Sequence, residues 1–113
     1  MLIYKICHKA EWVQAVRDGI YAGSAKDNED HFMHFSTAAQ VKATLERHYA
    51  EADDLMLVAV QEDLFGDFLK YEPARGGELF PHLYGVLPLS FVIWARPITR
   101  DAKGGFVLPK GVV

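Results

Sequence analysis

Two histidines, a serine and a threonine lie together in the stretch HFMHFSTAAQ, residues 31–40. Imidazole can transfer protons near neutral pH or ligate a metal, and hydroxyl groups can donate to a phosphate. If Phe32–Ser36 is extended, its side chains alternate in direction, so His34 and Ser36 share one face. Met33 and Phe35 then point the other way. The stretch combines a polar face suited to binding or catalysis with an apolar face suited to a core.

Thr37 and Gln40 have the spacing of a capping box, in which the hydroxyl accepts from the Gln40 backbone N–H and the amide side chain reaches back. This pattern predicts a helix start at Thr37. A helix start also offers free N–H groups and a partial positive charge, which favour an anion or phosphate beside Ser36. A cap and an anion site are compatible, so both interpretations stay open.

A metal site is the weaker interpretation of the histidine pair. In a strand, His31 and His34 would lie on opposite faces, and no nearby cysteine completes a tetrahedral set. The only cysteine, Cys7, lies in an apparent strand, which is typical of a small buried hydrophobic residue rather than a nucleophile. We expect neither a metal nor an internal disulfide.

A second polar segment, KYEPARGGELFPHLYG, spans residues 70–85, and its prolines and paired glycines predict a shaped loop. Its side chains supply a potential acid or base, an anion clamp, a proton shuttle and a hydrogen-bond donor: Glu72, Arg75, His82 and Tyr84. The purely structural alternative pairs Glu72 with Arg75, makes His82 a hydrogen-bonded core histidine and lets Tyr84 pack.

The elements that must position these groups alternate without a regular β-α-β rhythm, which favours the α+β class. Helical spacing predicts two helices, Lys9–Asp18 and Thr37–Tyr49. In the first strand, Lys5 is a polar residue on an otherwise apolar face. Strands are predicted over these segments: Leu2–Cys7, Phe32–Ser36, Leu55–Val60, Phe68–Glu72, Phe91–Ile98 and Phe106–Leu108.

Length and charge exclude several classes of protein. A chain of 113 residues is long enough for one buried core and too short for two, so residues 1–113 are expected to form a single domain. A net charge of -3 argues against a protein that coats nucleic acid, which needs clustered Lys and Arg. No stretch is long and apolar enough to cross a bilayer, and a single cysteine fits a reducing compartment. We expect a cytoplasmic protein without a membrane partner.

The ordered set IYKI, EW, HFMHFSTAAQ, DLMLVAV, LKYE and GGELFPHLYGVLPL resembles a bacterial family known as domain of unknown function number nine-five-two. The resemblance covers nearly the whole chain. That family is grouped with folds similar to ADP-ribosyltransferases and RNA 2′-phosphotransferases. The resemblance implies two helices on a bent or split, mainly antiparallel sheet, with NAD or an ADP-ribose-like ligand in a cleft.

On that resemblance the cleft residues of this chain are His34, Ser36, Glu72, His82 and Tyr84. Many of the transferases have a histidine or arginine on the first strand, whereas this chain has Lys5 there. Two functions follow as expectations. One is an enzyme acting on a nucleotide or phosphorylated ribose, in which Glu72, His34 and His82 are catalytic and the ligand is held by Lys5, Ser36, Thr37, Arg75 and Tyr84. Glu78 is the alternative to Glu72 as the catalytic glutamate. The other is a non-catalytic domain that binds a small anionic metabolite.

Overall fold

Two continuous apolar runs form the centre of the main sheet. Strand β1 (Leu2–His8) pairs antiparallel with β4 (Leu55–Gln61), and the interior residues of both are buried on both faces. Strands β8 (Val92–Arg100) and β9 (Phe106–Val107) extend this sheet in the order β1-β4-β8-β9. The computed structural model describes all residues 1–113.

One helix covers each face of this four-stranded sheet. Helix α1 (Lys9–Asp18) contributes Ala15 to a buried cluster that contains Ile3 of β1. Helix α3 (Val41–His48) contributes Leu45 to a second buried cluster on the opposite face. Because successive side chains of a strand point to opposite faces, β1 supplies apolar residues to both clusters.

A second, three-stranded sheet lies beside the first, in the order β3-β6-β5. Its strands are β3 (Met33–His34), β5 (Leu69–Pro73) and β6 (Leu79–Leu83), and every pairing in it is antiparallel. A two-residue pair, β2 (Ile20–Tyr21) with β7 (Leu87–Pro88), completes the strands.

The two larger sheets touch at one backbone bridge. The Tyr4 N–H donates to the Ser36 carbonyl and the Ser36 N–H donates to the Tyr4 carbonyl, each at 2.8 Å. On one side of this bridge the sheets diverge, and there the His34 N–H donates to the Asp27 carboxylate rather than to β1. The predicted α+β class and the split, antiparallel sheet are therefore confirmed.

The helices agree with the sequence in part. Helix α1 has the predicted bounds, and Gly19 ends it in the left-handed conformation. The predicted helix Thr37–Tyr49 is wrong at both ends, since only Val41–His48 is helical. Ser36 is held in the bridge to Tyr4, so the chain turns through the next residues before the helix can begin.

A third helix, α2 (Ala25–Asp30), was not expected from the sequence. Ser24 caps it: its hydroxyl accepts from the Asp27 N–H at 3.2 Å, and the Asp27 carboxylate accepts from the Ser24 N–H at 2.9 Å. Short 3₁₀ turns occupy three further segments: Glu62–Phe68, Arg75–Gly77 and Leu89–Phe91.

The expectation of an irregular loop over residues 70–85 is also wrong, because most of that segment is the β5–β6 hairpin. The central strand β6 contains Pro81, which has no N–H. The Pro81 carbonyl accepts from the Phe35 N–H, so the missing N–H would also face Phe35. Because Phe35 lies just beyond the end of β3, the strand pairing tolerates the proline. The other predicted strands lie within two residues of the observed ones, except that β3 is shorter than Phe32–Ser36. No helix is long and apolar enough to span a membrane.

Gln40 connects the start of α3 to the β5–β6 hairpin. Its side-chain carbonyl accepts from the Thr37 N–H at 3.0 Å. Its side-chain amide donates to the Leu79 carbonyl at 2.8 Å and to the Glu78 carboxylate at 3.0 Å. The side chain of Gln40 therefore fixes the hairpin turn relative to the helix.

We predict that Gln40→Ala lowers the free energy of unfolding by about 1–3 kcal/mol, because buried polar partners lose their hydrogen bonds. Gln14→Ala is the matched control, since exposed Gln14 bonds only the Asp18 side chain, and should change stability by less than about 0.5 kcal/mol. Urea denaturation measures both. Equal effects of the two substitutions would contradict a tethering role for Gln40.

Candidate functional site

A cavity of about 650 Å³ lies where the two sheets diverge. Residues of β1 form one wall, the face of β6 forms another, and the C-terminal part of α3 and the start of α2 close the remaining sides. A cavity of this size is in the range that holds a nucleotide-sized ligand.

A buried ion pair lies at the floor of the cavity. The Lys5 Nζ is 2.8 Å from one Asp27 carboxylate oxygen and 3.0 Å from the other. Lys5 and Asp27 are each only 3% exposed. The polar residue that interrupts the apolar face of β1 therefore meets a carboxylate supplied by α2.

His34 joins this ion pair from β3. Its Nδ1 lies 2.5 Å and its backbone N–H 3.0 Å from the same Asp27 oxygen. Its Nε2 lies 2.9 Å from the Asp30 carboxylate. Each ring nitrogen of His34 thus lies within hydrogen-bond distance of a carboxylate oxygen.

Burial by itself would raise the pKa of Asp27, but the hydrogen bond from His34 and the charge of Lys5 outweigh it. A further hydrogen bond from the Ser24 backbone acts in the same direction. The pKa of Asp27 is therefore held well below its usual range, and the residue remains a carboxylate.

A second histidine–carboxylate pair lies on the neighbouring strands. The His82 Nδ1 is 2.8 Å from the Glu72 carboxylate, and the Tyr84 hydroxyl donates to the same oxygen at 2.6 Å. These hydrogen bonds, that from Tyr84 foremost, lower the pKa of Glu72, and the bond to Glu72 raises the pKa of Tyr84. The Nε2 of His82 makes no hydrogen bond within the protein.

His34 and His82, each with its carboxylate partner, lie side by side on one face of the three-stranded sheet. His34 and His82 are register partners, and their ring centroids are 5.8 Å apart. The Phe32 ring stacks on the His82 ring, with 3.9 Å between the ring centroids, and its centroid is 4.6 Å from that of His34. Phe32 therefore covers both imidazoles. The two rings are thus neighbours on adjacent strands of one sheet.

The positively charged side chains that are paired most weakly with carboxylates lie at the rim of the cavity. Arg75 sits over the Phe80 ring at 5.1 Å, and its guanidinium is 3.4 Å from the His48 Nε2. Partial burial, followed by the positive charge of Arg75, lowers the pKa of His48. Lys26 lies at the same opening and pairs with exposed Glu29 at 3.9 Å and with half-buried Asp30 at 3.4 Å.

Five of the eight side chains expected at the site line the cavity: Lys5, His34, Ser36, Arg75 and His82. The other three, Thr37, Glu72 and Tyr84, do not line it. Glu72 bonds His82 and Tyr84 rather than Arg75, so the suggested pairing of Glu72 with Arg75 is wrong. His82 is both a buried, hydrogen-bonded residue and a cavity-lining one.

Residues 6–95 match a family described as "Protein of unknown function (DUF952)". The chain belongs to this family. It is also similar to protein CC0527 from Caulobacter crescentus, whose crystal structure shares 39% identity and a TM-score of 0.89 over 95% of this chain and 94% of that one. The solution NMR structure of CC0527 gives 40% identity and a TM-score of 0.83 over 92% and 90%. No curated protein matches the chain.

Asp27 is the site residue that sequence reasoning missed in this DUF952 chain. Two signals could have found it. The segment SAKD, residues 24–27, has the spacing of a capping box, which predicts a helix start at Ser24 with the Asp27 carboxylate reaching back to the Ser24 N–H. A lysine on the apolar face of a buried strand also requires a buried carboxylate partner. Together they would have pointed to the pair of Lys5 with Asp27.

We predict that Asp27→Asn lowers the free energy of unfolding by about 3–5 kcal/mol at pH 7, because Lys5 is left as an uncompensated buried charge. Asp30→Asn, which removes a more exposed partner of the same histidine, is the matched control and should cost far less. Urea denaturation of both variants measures the difference. Similar decreases in the free energy of unfolding in the two variants would contradict the interpretation that Asp27 compensates the buried charge of Lys5.

The contribution of Asp27 also depends on pH. Its pKa is lower in the folded than in the unfolded protein, where it is about 3.9. The stability that it contributes is therefore complete above about pH 4 and decreases as the pH falls toward the folded pKa. We expect the difference in the free energy of unfolding between the wild type and Asp27→Asn to decrease as the pH is lowered from 6 to 2. A difference independent of pH would contradict this origin.

Proposed function

We propose that the chain is an enzyme acting on a nucleotide or phosphorylated ribose, with His82 as general acid–base. One observation supports this proposal above all. Glu72 holds the Nδ1 of His82 at 2.8 Å, whereas Nε2 is free on a residue that lines the cavity. A carboxylate at Nδ1 fixes the tautomer and leaves a basic lone pair at Nε2.

The rim of the cavity suits a phosphate. In the proposal Arg75, which forms no ion pair with a carboxylate, provides the planar fork that matches phosphate oxygens. Lys5 does not have this role, because its charge is already matched by Asp27 at the cavity floor.

The resemblance to ADP-ribosyltransferases supports a ribose-bearing ligand such as NAD or ADP-ribose. In those enzymes a glutamate stabilises positive charge at the anomeric carbon. In this chain Glu72 is separated from the cavity by His82, and we therefore assign it the positioning of the imidazole. His82 then exchanges the proton with a hydroxyl or leaving group of the substrate.

A non-catalytic domain that binds a small anionic metabolite is the second candidate. It is favoured by the closed network of Lys5, Asp27 and His34, in which each charged group already has a partner. Such a network shapes a cavity without offering reactive groups. The two candidates share the anion site at Arg75 and differ in what His82 does.

We predict that the wild-type protein converts at least one of NAD, ADP-ribose, adenosine 5′-monophosphate or ribose 5-phosphate, followed by ³¹P NMR and chromatography. His82→Gln should lower that rate by about 100-fold or more, the usual contribution of a general acid–base. Glu72→Gln should lower the rate less and should alter its pH profile, because the substitution acts through His82. Glu46→Gln, on the exposed side of α3, is the charge-matched control and should leave the rate unchanged.

Binding of these compounds without turnover would favour the non-catalytic domain. Arg75→Ala should then weaken binding of all of them, while His82→Gln should leave their affinity nearly unchanged. Imidazole resonances that do not move at millimolar concentrations of any compound would contradict both candidates.

A further inference from the structure

The edge of β1 offers an unpaired donor and acceptor inside the cavity. Tyr4 turns its N–H and carbonyl away from β4 toward Ser36, and in a strand the residue two positions on has the same orientation. Ile6 is that residue, and it lines the cavity. Its would-be partner in the sheet, His34, donates its N–H to the Asp27 carboxylate instead. The Ile6 N–H and carbonyl are thus left without a strand to pair with.

A carboxylate lies next along the same strand edge. The His8 N–H donates to one Glu11 oxygen at 3.0 Å, and the other oxygen makes no hydrogen bond within the protein. Glu11 lines the cavity and is half-buried. Two residues of strand separate the backbone of Ile6 from that of His8, about 6.6 Å. A single bicyclic ring can therefore reach both the Ile6 backbone and the Glu11 carboxylate.

The wall of the cavity leads from this carboxylate to the cationic rim. The ring of His8 lies 6.2 Å from the ring of Tyr49, edge to face. Tyr49 follows His48, which contacts Arg75. The wall thus runs from an acceptor, past an aromatic side chain on which a ring can stack, to a cation. A ligand that follows it has an aromatic ring at the inner end and a phosphate at the outer end.

We propose that the inner end of the cavity, formed by Ile6 and Glu11, selects an amino-substituted nucleobase. This inference rests on the proposed function and names the substrate class of the same site. The Ile6 backbone pairs with any ring edge that presents a donor beside an acceptor, so it does not distinguish an amino base from its oxo counterpart. The Glu11 carboxylate only accepts, and therefore favours the base that carries an exocyclic amine.

Two nucleotides that differ in one group test this selection. Adenosine and inosine 5′-monophosphate carry a 6-amino and a 6-oxo group on otherwise matched purines. Calorimetric titration of the wild-type protein should give an affinity about tenfold higher for the adenosine compound, the effect of one hydrogen bond to a charged acceptor. Equal affinities, or tighter binding of the inosine compound, would overturn the inference.

Variants assign the preference to its source. Glu11→Gln keeps a carbonyl for the His8 N–H but can also donate, so the preference should fall below about threefold. Glu46→Gln, the control, should keep it. Arg75→Ala should weaken both nucleotides alike and leave their ratio unchanged, because it acts at the phosphate.

The failures of the two proposals are distinguishable. Tight binding of both nucleotides without preference, lost in Arg75→Ala, would overturn the base selection and leave the proposed function intact. If Glu11→Gln still prefers the adenosine compound, Glu11 is not the group that selects the base, and the inference is overturned. Absence of binding for both nucleotides and for inorganic phosphate would overturn the base selection together with the proposed function.

Discussion

The ion pair between Lys5 and Asp27 is the interaction on which the rest of the cavity depends. Asp27 comes from α2, Lys5 from the four-stranded sheet, and His34, which shares the carboxylate, from the three-stranded sheet. One buried carboxylate thus connects three elements at the place where the sheets separate. Removing two charges from water is costly, and an apolar pair of similar volume often stabilises a fold more. What the ion pair contributes here is a fixed geometry for the diverging sheets.

The ion pair also bears on where the proposed function would take place in the cavity. The charge of Lys5 faces the Asp27 carboxylate, so it contributes little at the cavity floor. Arg75 at the rim forms no ion pair with a carboxylate, and the Nε2 of His82 makes no hydrogen bond within the protein. In the proposed function the charged group of the ligand therefore lies at the opening, and proton transfer takes place deeper, on the β6 wall.

The sequence predicted the helix and the strands that show a clear apolar periodicity. It missed the elements that are short or that depend on contacts between distant segments. Helix α1 and the long strands follow from apolar spacing and a glycine cap. Helix α2 has six mainly polar residues, so its only signal is the Ser24–Asp27 cap. Strand β6 contains Pro81, whose tolerance depends on where β3 ends, and sequence alone does not give that. The meeting of His34 with His82 was predicted through a family resemblance, because local pattern cannot bring distant segments together.

Glu72 shows why the position of a residue on a strand does not by itself assign it a catalytic role. A glutamate on β5 can stabilise a reacting carbon only if its carboxylate faces the ligand. Here the edge position of β5 puts His82 of the central strand between Glu72 and the cavity, and one Glu72 oxygen already accepts from both His82 and Tyr84. In the proposed function the chemistry therefore passes through the imidazole, and the carboxylate acts by fixing which nitrogen carries the proton. This arrangement of Glu72 and His82 suits proton transfer better than direct stabilisation of a cationic sugar.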